Sequence, residues 1–284
     1  MKNKKLYPKE KQKGVVFYQD LAEDTGNGDA IDIDVDDDVK EVEIWCDLVM
    51  PDSKKSFPNV ESLVIKSNVF EIRITNSLFP NVKWVQSESD RFKTGNCLVL
   101  NKGDIFFTLL NTFCKKEGEV IETDDITAIK NGAFSGCEST NLTSAIDVCY
   151  EDDIEPDAFA GSAFEKLPFV NGAKMAGNIV IDIDKNAEEI IIPDDDYERA
   201  IFIANTDLTM VKKLVVHRYE TARQVNYDTN YPEMLVLDTN DSLSGVKIRE
   251  LAHRSSSAVS YLKYFSISNG DYKTIDGIVY TKNE

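Results

Sequence analysis

Ile129-Lys-Asn-Gly-Ala133-Phe134-Ser-Gly-Cys137 recurs further along the chain as Ile154-Glu-Pro-Asp-Ala158-Phe159-Ala-Gly-Ser162. A fainter copy, Ile248-Arg-Glu-Leu-Ala252-His253-Arg-Ser-Ser256, lies about four further steps of the same period beyond that. Self-similarity at a fixed short period is the signature of a solenoid, in which each repeat buries its apolar face only against its neighbours. Such a scaffold carries its specificity on its surface, so the architecture alone names no ligand.

A second repeated element supports the period. Phe57-Pro-Asn-Val60-Glu-Ser-Leu63-Val-Ile65 is echoed one period later by Phe79-Pro-Asn-Val82-Lys-Trp-Val85. The common pattern is apolar, two free positions, apolar, one free position, apolar. It runs through Val39-Val42-Ile44, Val60-Leu63-Ile65, Phe164-Leu167-Phe169, Ala187-Ile190-Ile192, Val211-Leu214-Val216 and Leu262-Phe265-Ile267. Tyr231-Leu235-Leu237 fits with a small shift, and Leu142-Ile146-Val148 with one residue too many. Alternation ending in β-branched residues reads as a short strand, and one strand per repeat in a constant phase stacks into a parallel sheet. The shared phase predicts that Leu63, Ile65, Ala133, Phe134, Ala158, Phe159, Ile190, Ile192, Leu214 and Val216 are buried.

The Ala-Phe-Ser-Gly-Cys run at 133–137, with Ile190-Ile-Ile192-Pro193, resembles the BspA-like leucine-rich repeat proteins, over roughly residues 39 to 284. The resemblance implies an α/β or mostly β solenoid: a leucine-rich repeat stack with one parallel sheet and interrupting β-hairpins. The period implies roughly 9–10 degenerate repeats, each of about 22–25 residues. A further phrase fits the resemblance. Phe92-Lys-Thr-Gly-Asn-Cys97-Leu-Val-Leu-Asn-Lys102 returns as Tyr272-Lys-Thr-Ile-Asp-Gly277-Ile-Val-Tyr-Thr-Lys282, where such proteins interrupt or end the stack with a hairpin. The expected organisation is a basic N-terminal segment at 1–28, N-terminal repeats at 29–91 and a hairpin region at 92–125. C-terminal repeats at 126–271 and the start of a second hairpin at 272–284 complete one continuous solenoid. Residues 14–38 match no repeat.

Composition narrows the function. There are 32 basic against 50 acidic residues, a net charge of −18. That argues against general nucleic-acid binding, which depends on neutralising phosphates. No apolar run approaches the roughly 20 residues of a membrane helix. Lysines at 2, 4, 5, 9, 11 and 13 make the N-terminus basic: a tether to an anionic surface, or a solvated tail. Met1-Lys-Asn-Lys-Lys5 looks like the start of a signal peptide, but no apolar core follows. The resemblance points to an extracellular or cell-surface location, while the N-terminus leaves a cytoplasmic one open. A leader removed upstream would reconcile them, and the second hairpin phrase, stopping at Glu284, hints that the chain is a piece of a longer one.

Candidate chemistry is sparse. The five cysteines (46, 97, 114, 137 and 149) contain no Cys-x-x-Cys, which argues for buried packing residues rather than zinc or redox sites. His253 aligns with Phe134 and Phe159, as a substitute for a packing aromatic. His217 follows the Val211–Val216 strand, and neither histidine has a nucleophile beside it in sequence. Asp32, Asp34 and Asp36–Asp38 alternate with Ile31, Ile33 and Val35; Asp182 and Asp184, Asp194–Asp196 and Glu151–Asp153 add further acidic clusters. None has the spacing of a calcium loop, so the expected role is a wet strand face, with Asp32 and Asp34 guarding a sheet edge. No catalytic residue, metal or cofactor is expected.

Two functions remain in view. In the first, a non-enzymatic binding or adhesion module presents its sheet face to a protein or glycan. The free positions of the best-registered strands then form the contact surface: Glu43 and Trp45, Val64 and Lys66, and Val215 and His217, with Trp84 one phase earlier. In the second, the chain is a parallel β-helix enzyme acting on polysaccharide, with Asp182, Asp184, Asp194 and Asp196 as acid and base candidates. That would require carboxylates from neighbouring strands to converge within ~10 Å, near the separations used by glycosidases.

Overall fold

The computed structural model describes residues 6–8, 13–20, 29–103, 105–146, 148, 153–193, 200–203, 206–225, 232–239, 242–253, 264–267, 272–275 and 278–281. For 6–8, 19–20, 252–253 and the strands from 264 onward, only the backbone is described. Contacts divide the chain into two compact units, Met1–Phe164 and Glu165–Glu284. Both are built as β-solenoid, from short and mostly parallel strands.

In the first unit, β1 (Leu6–Pro8), β2 (Val15–Asp20) and β3 (Ala30–Val35) form an antiparallel start. Two lines of parallel strands then run through the coils. One line is β4 (Glu41–Ile44), β6 (Ser62–Ile65) and β8 (Trp84–Ser87), with Val42 opposite Leu63 and Leu63 opposite Val85. The other is β5 (Leu48–Met50) and β7 (Ile72–Ile74), which extend the first sheet in the order β1-β2-β3-β5-β7. Coils of residues 41–74 therefore carry two strands each, which corrects the expectation of one parallel sheet. Alternation explains both lines: Val42, Ile44, Leu63, Ile65, Val85, Leu48 and Ile72 point into one shared core, and Glu41, Glu43 and Arg73 point out. Between the lines, the Phe-Pro-Asn-Val turns stack coil on coil. Phe57 N–H donates to the Leu78 carbonyl at 2.8 Å, and the Phe57 and Phe79 rings lie 5.9 Å apart.

The chain then leaves the coil. β9 (Phe92–Lys93), β10 (Leu98–Asn101) and β11 (Phe107–Asn111) form an antiparallel meander, and β13 (Ile126–Ile129) rejoins it in parallel. A separate parallel pair joins β12 (Val120–Ile121) to β14 (Asn141–Leu142). The Ala-Phe repeat is a stacked turn: Phe134 N–H donates to the Ala158 carbonyl at 3.1 Å, and Gly132 N–H to that of Asp157 at 2.9 Å. The Phe134 and Phe159 rings stack at 4.6 Å and 12°, and Phe164 meets both edge-on. Gly136 is required here: its φ is +73°, and a Cβ would sit 2.8 Å from Cys114 Sγ.

In the second unit, β15 (Ala173–Ala176) and β16 (Ile179–Ile183) form an antiparallel hairpin, and β18 (Ile201–Phe202) pairs in parallel with β16. β17 (Glu189–Ile191), β19 (Lys213–Val216), β20 (Met234–Leu237) and β21 (Tyr264–Ile267) form one parallel sheet. Helices α1 (Tyr219–Val225) and α2 (Gly245–His253) follow β19 and β20. The strands bury Ile190, Leu214, Val216, Leu235 and Leu237 against Ala222 and Val225 of α1 and Ile248 and Leu251 of α2. A closing hairpin joins β22 (Tyr272–Ile275) to β23 (Ile278–Thr281).

All ten residues predicted to be buried are buried. Other expectations change. Leu109 pairs with Ile129 and Leu235 with Phe265, and the second interval is half as long again as the first, so the spacing is looser than the repeat period predicts. Phe164-Leu167-Phe169 forms no strand: Phe164–Lys166 is a 3-10 turn and Phe169 is exposed. β5 pairs with β3 only at Ala30, so the stretch that carries Asp32 and Asp34 has β2 as its one strand neighbour among the described residues. Both carboxylates hold Lys55 Nζ there, at 2.7 and 2.8 Å.

Candidate functional site

The face formed by β4, β6 and β8 largely satisfies its own charges. Glu43 pairs with Lys13 at 2.6 Å and Lys66 with Glu88 at 2.8 Å, while Glu61 bridges Lys40 and Lys83 at 3.1 Å each. Hydrogen bonding to Lys13, more than its charge, holds the Glu43 carboxyl below the usual range. Val64 sits in the central strand and is only 8% exposed, so flanking side chains cover it; Val215, in β19, is 7% exposed for the same reason. These two are corrected from contact residues to packing residues. Trp45 is half-buried on the core, edge-on to Phe17 at 5.5 Å, whereas Trp84 is 47% exposed. The ring Nδ1 of His217, in the second unit, lies 2.8 Å from the Asp238 carbonyl.

The remaining candidates are scattered. Asp182 lies 3.6 Å from Lys174, whose Nζ also donates to the Glu165 carbonyl at 2.6 Å. Asp194 and Asp196 fall outside the described residues, as do Cys149 and the His253 side chain. Cys46, Cys97, Cys114 and Cys137 are free thiols and buried. Burial pushes the Cys97 thiol up to about 12 and raises those of Cys114 and Cys137. Among the described residues no group of three His, Cys, Asp or Glu could hold a metal ion, and no helix is long and apolar enough to cross a membrane.

The first unit also holds a cleft that the sequence reading missed. The β5–β7 line ends at β7, because the chain one coil later turns into the β9–β10 hairpin instead of adding a strand. A cleft of about 890 Å³ is left beside β7. Its apolar lining is Ile74, Leu98, Leu100 and Leu110, all packed on the core, with Phe70 61% exposed at the rim. That volume falls within the roughly 300–1,000 Å³ of ligand sites, and an apolar lining with a few polar groups is their usual make-up.

Polar side chains hold the walls. Asp47 Oδ1 accepts the Phe70 and Glu71 N–H groups at 2.7 and 3.0 Å, which fixes the approach to β7. Beyond β7, the buried Asn76 Nδ2 donates to the Ala133 and Ser135 carbonyls at 2.9 and 2.7 Å, and Asn111 Nδ2 reaches the Ile74 carbonyl at 3.4 Å. Burial pushes the Glu155 carboxyl up, but hydrogen bonds from Lys130 and the Asn131 N–H outweigh it and hold it below the usual range. Arg73 pairs with Glu71 at 2.5 Å, and Lys130 pairs with Glu155. Arg91 and Lys102 have no ion-pair partner among the described residues. The lining thus carries four cations (Arg73, Arg91, Lys102 and Lys130) against three carboxylates (Asp47, Glu71 and Glu155), in a chain of net charge −18. In comparisons with protein-family models, curated proteins and solved structures, nothing matches this chain.

Proposed function

We propose that this chain is a non-enzymatic binding module that holds a protein partner through the cleft beside β7. One observation carries the reading: an apolar-lined cleft of about 890 Å³, rimmed by an exposed phenylalanine and two cations without a described partner. Anchoring side chains of a partner gain most in such desolvated concavities, and rim charges select it. The likeness of the Ala-Phe-Ser-Gly-Cys repeat to BspA-like leucine-rich repeat proteins supports an adhesive role at a cell surface. The self-paired β4-β6-β8 face is the weaker contact surface, since a partner there must compete with existing ion pairs. The test places a photo-crosslinking amino acid at Phe70 or at Trp84 and exposes each protein to surface extract. Capture at Phe70 that disappears in Arg91→Glu/Lys102→Glu is the expected result. Capture at Trp84 with a silent Phe70 position would move the site to the sheet face and overturn the reading.

A further inference from the structure

We infer that the cleft takes an extended, acidic and apolar segment of the partner as an added strand on β7. The inference rests on the reading of the cleft as a protein-binding site and specifies how that site works. β7 is the last strand of its sheet, so among the described residues one side of its backbone has no strand neighbour. Direction follows from the ladder. Leu48 N–H donates to the Glu71 carbonyl at 3.0 Å, in a register that sets Leu48 opposite Ile72. In a parallel pair, alternate residues turn both backbone groups to the same neighbour. Glu71 and Arg73 therefore face β5, and Ile72 and Ile74 face the cleft. Asn111 already engages the Ile74 carbonyl, which leaves the Ile74 N–H and, on a residue only 2% exposed, the Ile72 N–H and carbonyl as the groups that could pair with a strand.

Edge strands offering such groups bind extended peptides, with main-chain bonds for affinity and alternate side chains for specificity. Successive side chains of an added strand point to opposite faces. One set would meet Leu100 and Leu110, and the others would reach the rim, where Arg91 and Lys102 make no ion pair among the described residues, although the Lys102 charge already acts on Glu155. Charge complementarity commits the occupant to acidic rather than basic chemistry, against the acidic character of the whole chain.

The test uses the full chain and a fluorescein-labelled heptapeptide alternating glutamate and valine, read by fluorescence anisotropy at low salt. Its counterpart with lysine for glutamate is expected to bind at least about tenfold more weakly. Arg91→Glu/Lys102→Glu, two exposed positions that leave the core intact, is expected to reverse that order. N-methylation of every second peptide amide is the backbone control. One of the two methylated sets should lose about tenfold and the other little, because a strand turns alternate N–H groups to its neighbour. Equal binding of the glutamate and lysine peptides, equal loss in both methylated sets, or no binding at millimolar peptide would overturn the inference. If crosslinking at Phe70 still succeeds in that event, the cleft stands as the site and only the added strand falls. If crosslinking fails as well, both fall.

Discussion

Replacing Phe134 by alanine probes the repeat stacking most sharply. Phe134 is fully buried, stacks on Phe159 at 4.6 Å and meets Phe164 edge-on at 5.4 Å. Truncating a buried phenylalanine costs about 3–5 kcal/mol, through lost transfer energy and the cavity left behind. Aromatic pairs contribute about 0.5–1.5 kcal/mol beyond area, and two are lost here, so the upper half of that range applies. The turn backbones around it are tied to the next repeat, which limits collapse of the cavity. Phe134→Leu keeps more of the volume but loses the same two ring contacts, so it should cost about 1–3 kcal/mol, less than the alanine, while Phe70→Ala, at an exposed rim, should change stability by no more than about 0.5 kcal/mol. Because the chain has two compact units, native-state hydrogen exchange of amides in 126–162 is the proper assay, rather than one bulk unfolding curve. A cycle with Phe159→Ala should return a coupling of about 0.5–1.5 kcal/mol. A cost for Phe134→Ala below about 1 kcal/mol, or no coupling to Phe159, would refute the stacked-repeat packing.

Gly136→Ala should destabilise by more than Gly132→Ala. Both have positive φ, worth about 1–2 kcal/mol to an L-residue, but only Gly136 would drive a Cβ into Cys114 Sγ; equal thermal shifts would contradict this. Cys97 should resist alkylation at mildly alkaline pH in the native protein and react on denaturation, since its thiol is raised to about 12 by burial; rapid native labelling, located by peptide mapping, would show the site to be open. Hydrogen bonds from Lys55 and Tyr18 hold the folded Asp34 carboxyl below its usual range, so its contribution is full above the ordinary carboxylate range and is lost as pH falls through the lower folded value. The stability gap between the wild type and Lys55→Met should therefore be under about 1 kcal/mol near neutrality and close on acidification; a gap that widens in acid would contradict the pairing.

The buried positions were legible because a repeated phase imposes the same environment many times, and a single register fits Leu63, Ile65, Phe134, Phe159, Ile190 and Leu214 together. The second strand line was missed, although Leu48-Val-Met50 and Ile72-Arg-Ile74 lie one repeat apart and alternate as strands do. Each is too short for periodicity to separate from loop. Val64 and Val215 were assigned outward by alternation alone. Outward is not the same as exposed in a central strand, where neighbours on both sides cover a small side chain. That Asp32 and Asp34 lie beyond the single β3–β5 pairing at Ala30 was not legible from local pattern, because an edge is a property of pairing between distant segments. The cleft had no signal of its own. It exists because the β9–β10 hairpin occupies the place of a strand, and only the assembled coils show what that displacement leaves beside β7.

The most direct measurement is residue-resolved amide exchange along β7 in the free protein. If β7 is an open strand beside the cleft, protection alternates: the Arg73 N–H, turned to β5, exchanges slowly, and the Ile72 and Ile74 N–H groups exchange fast. Uniform slow exchange from Ile72 through Ile74 would mean that the edge is already covered, and would contradict the cleft as a site for a partner strand.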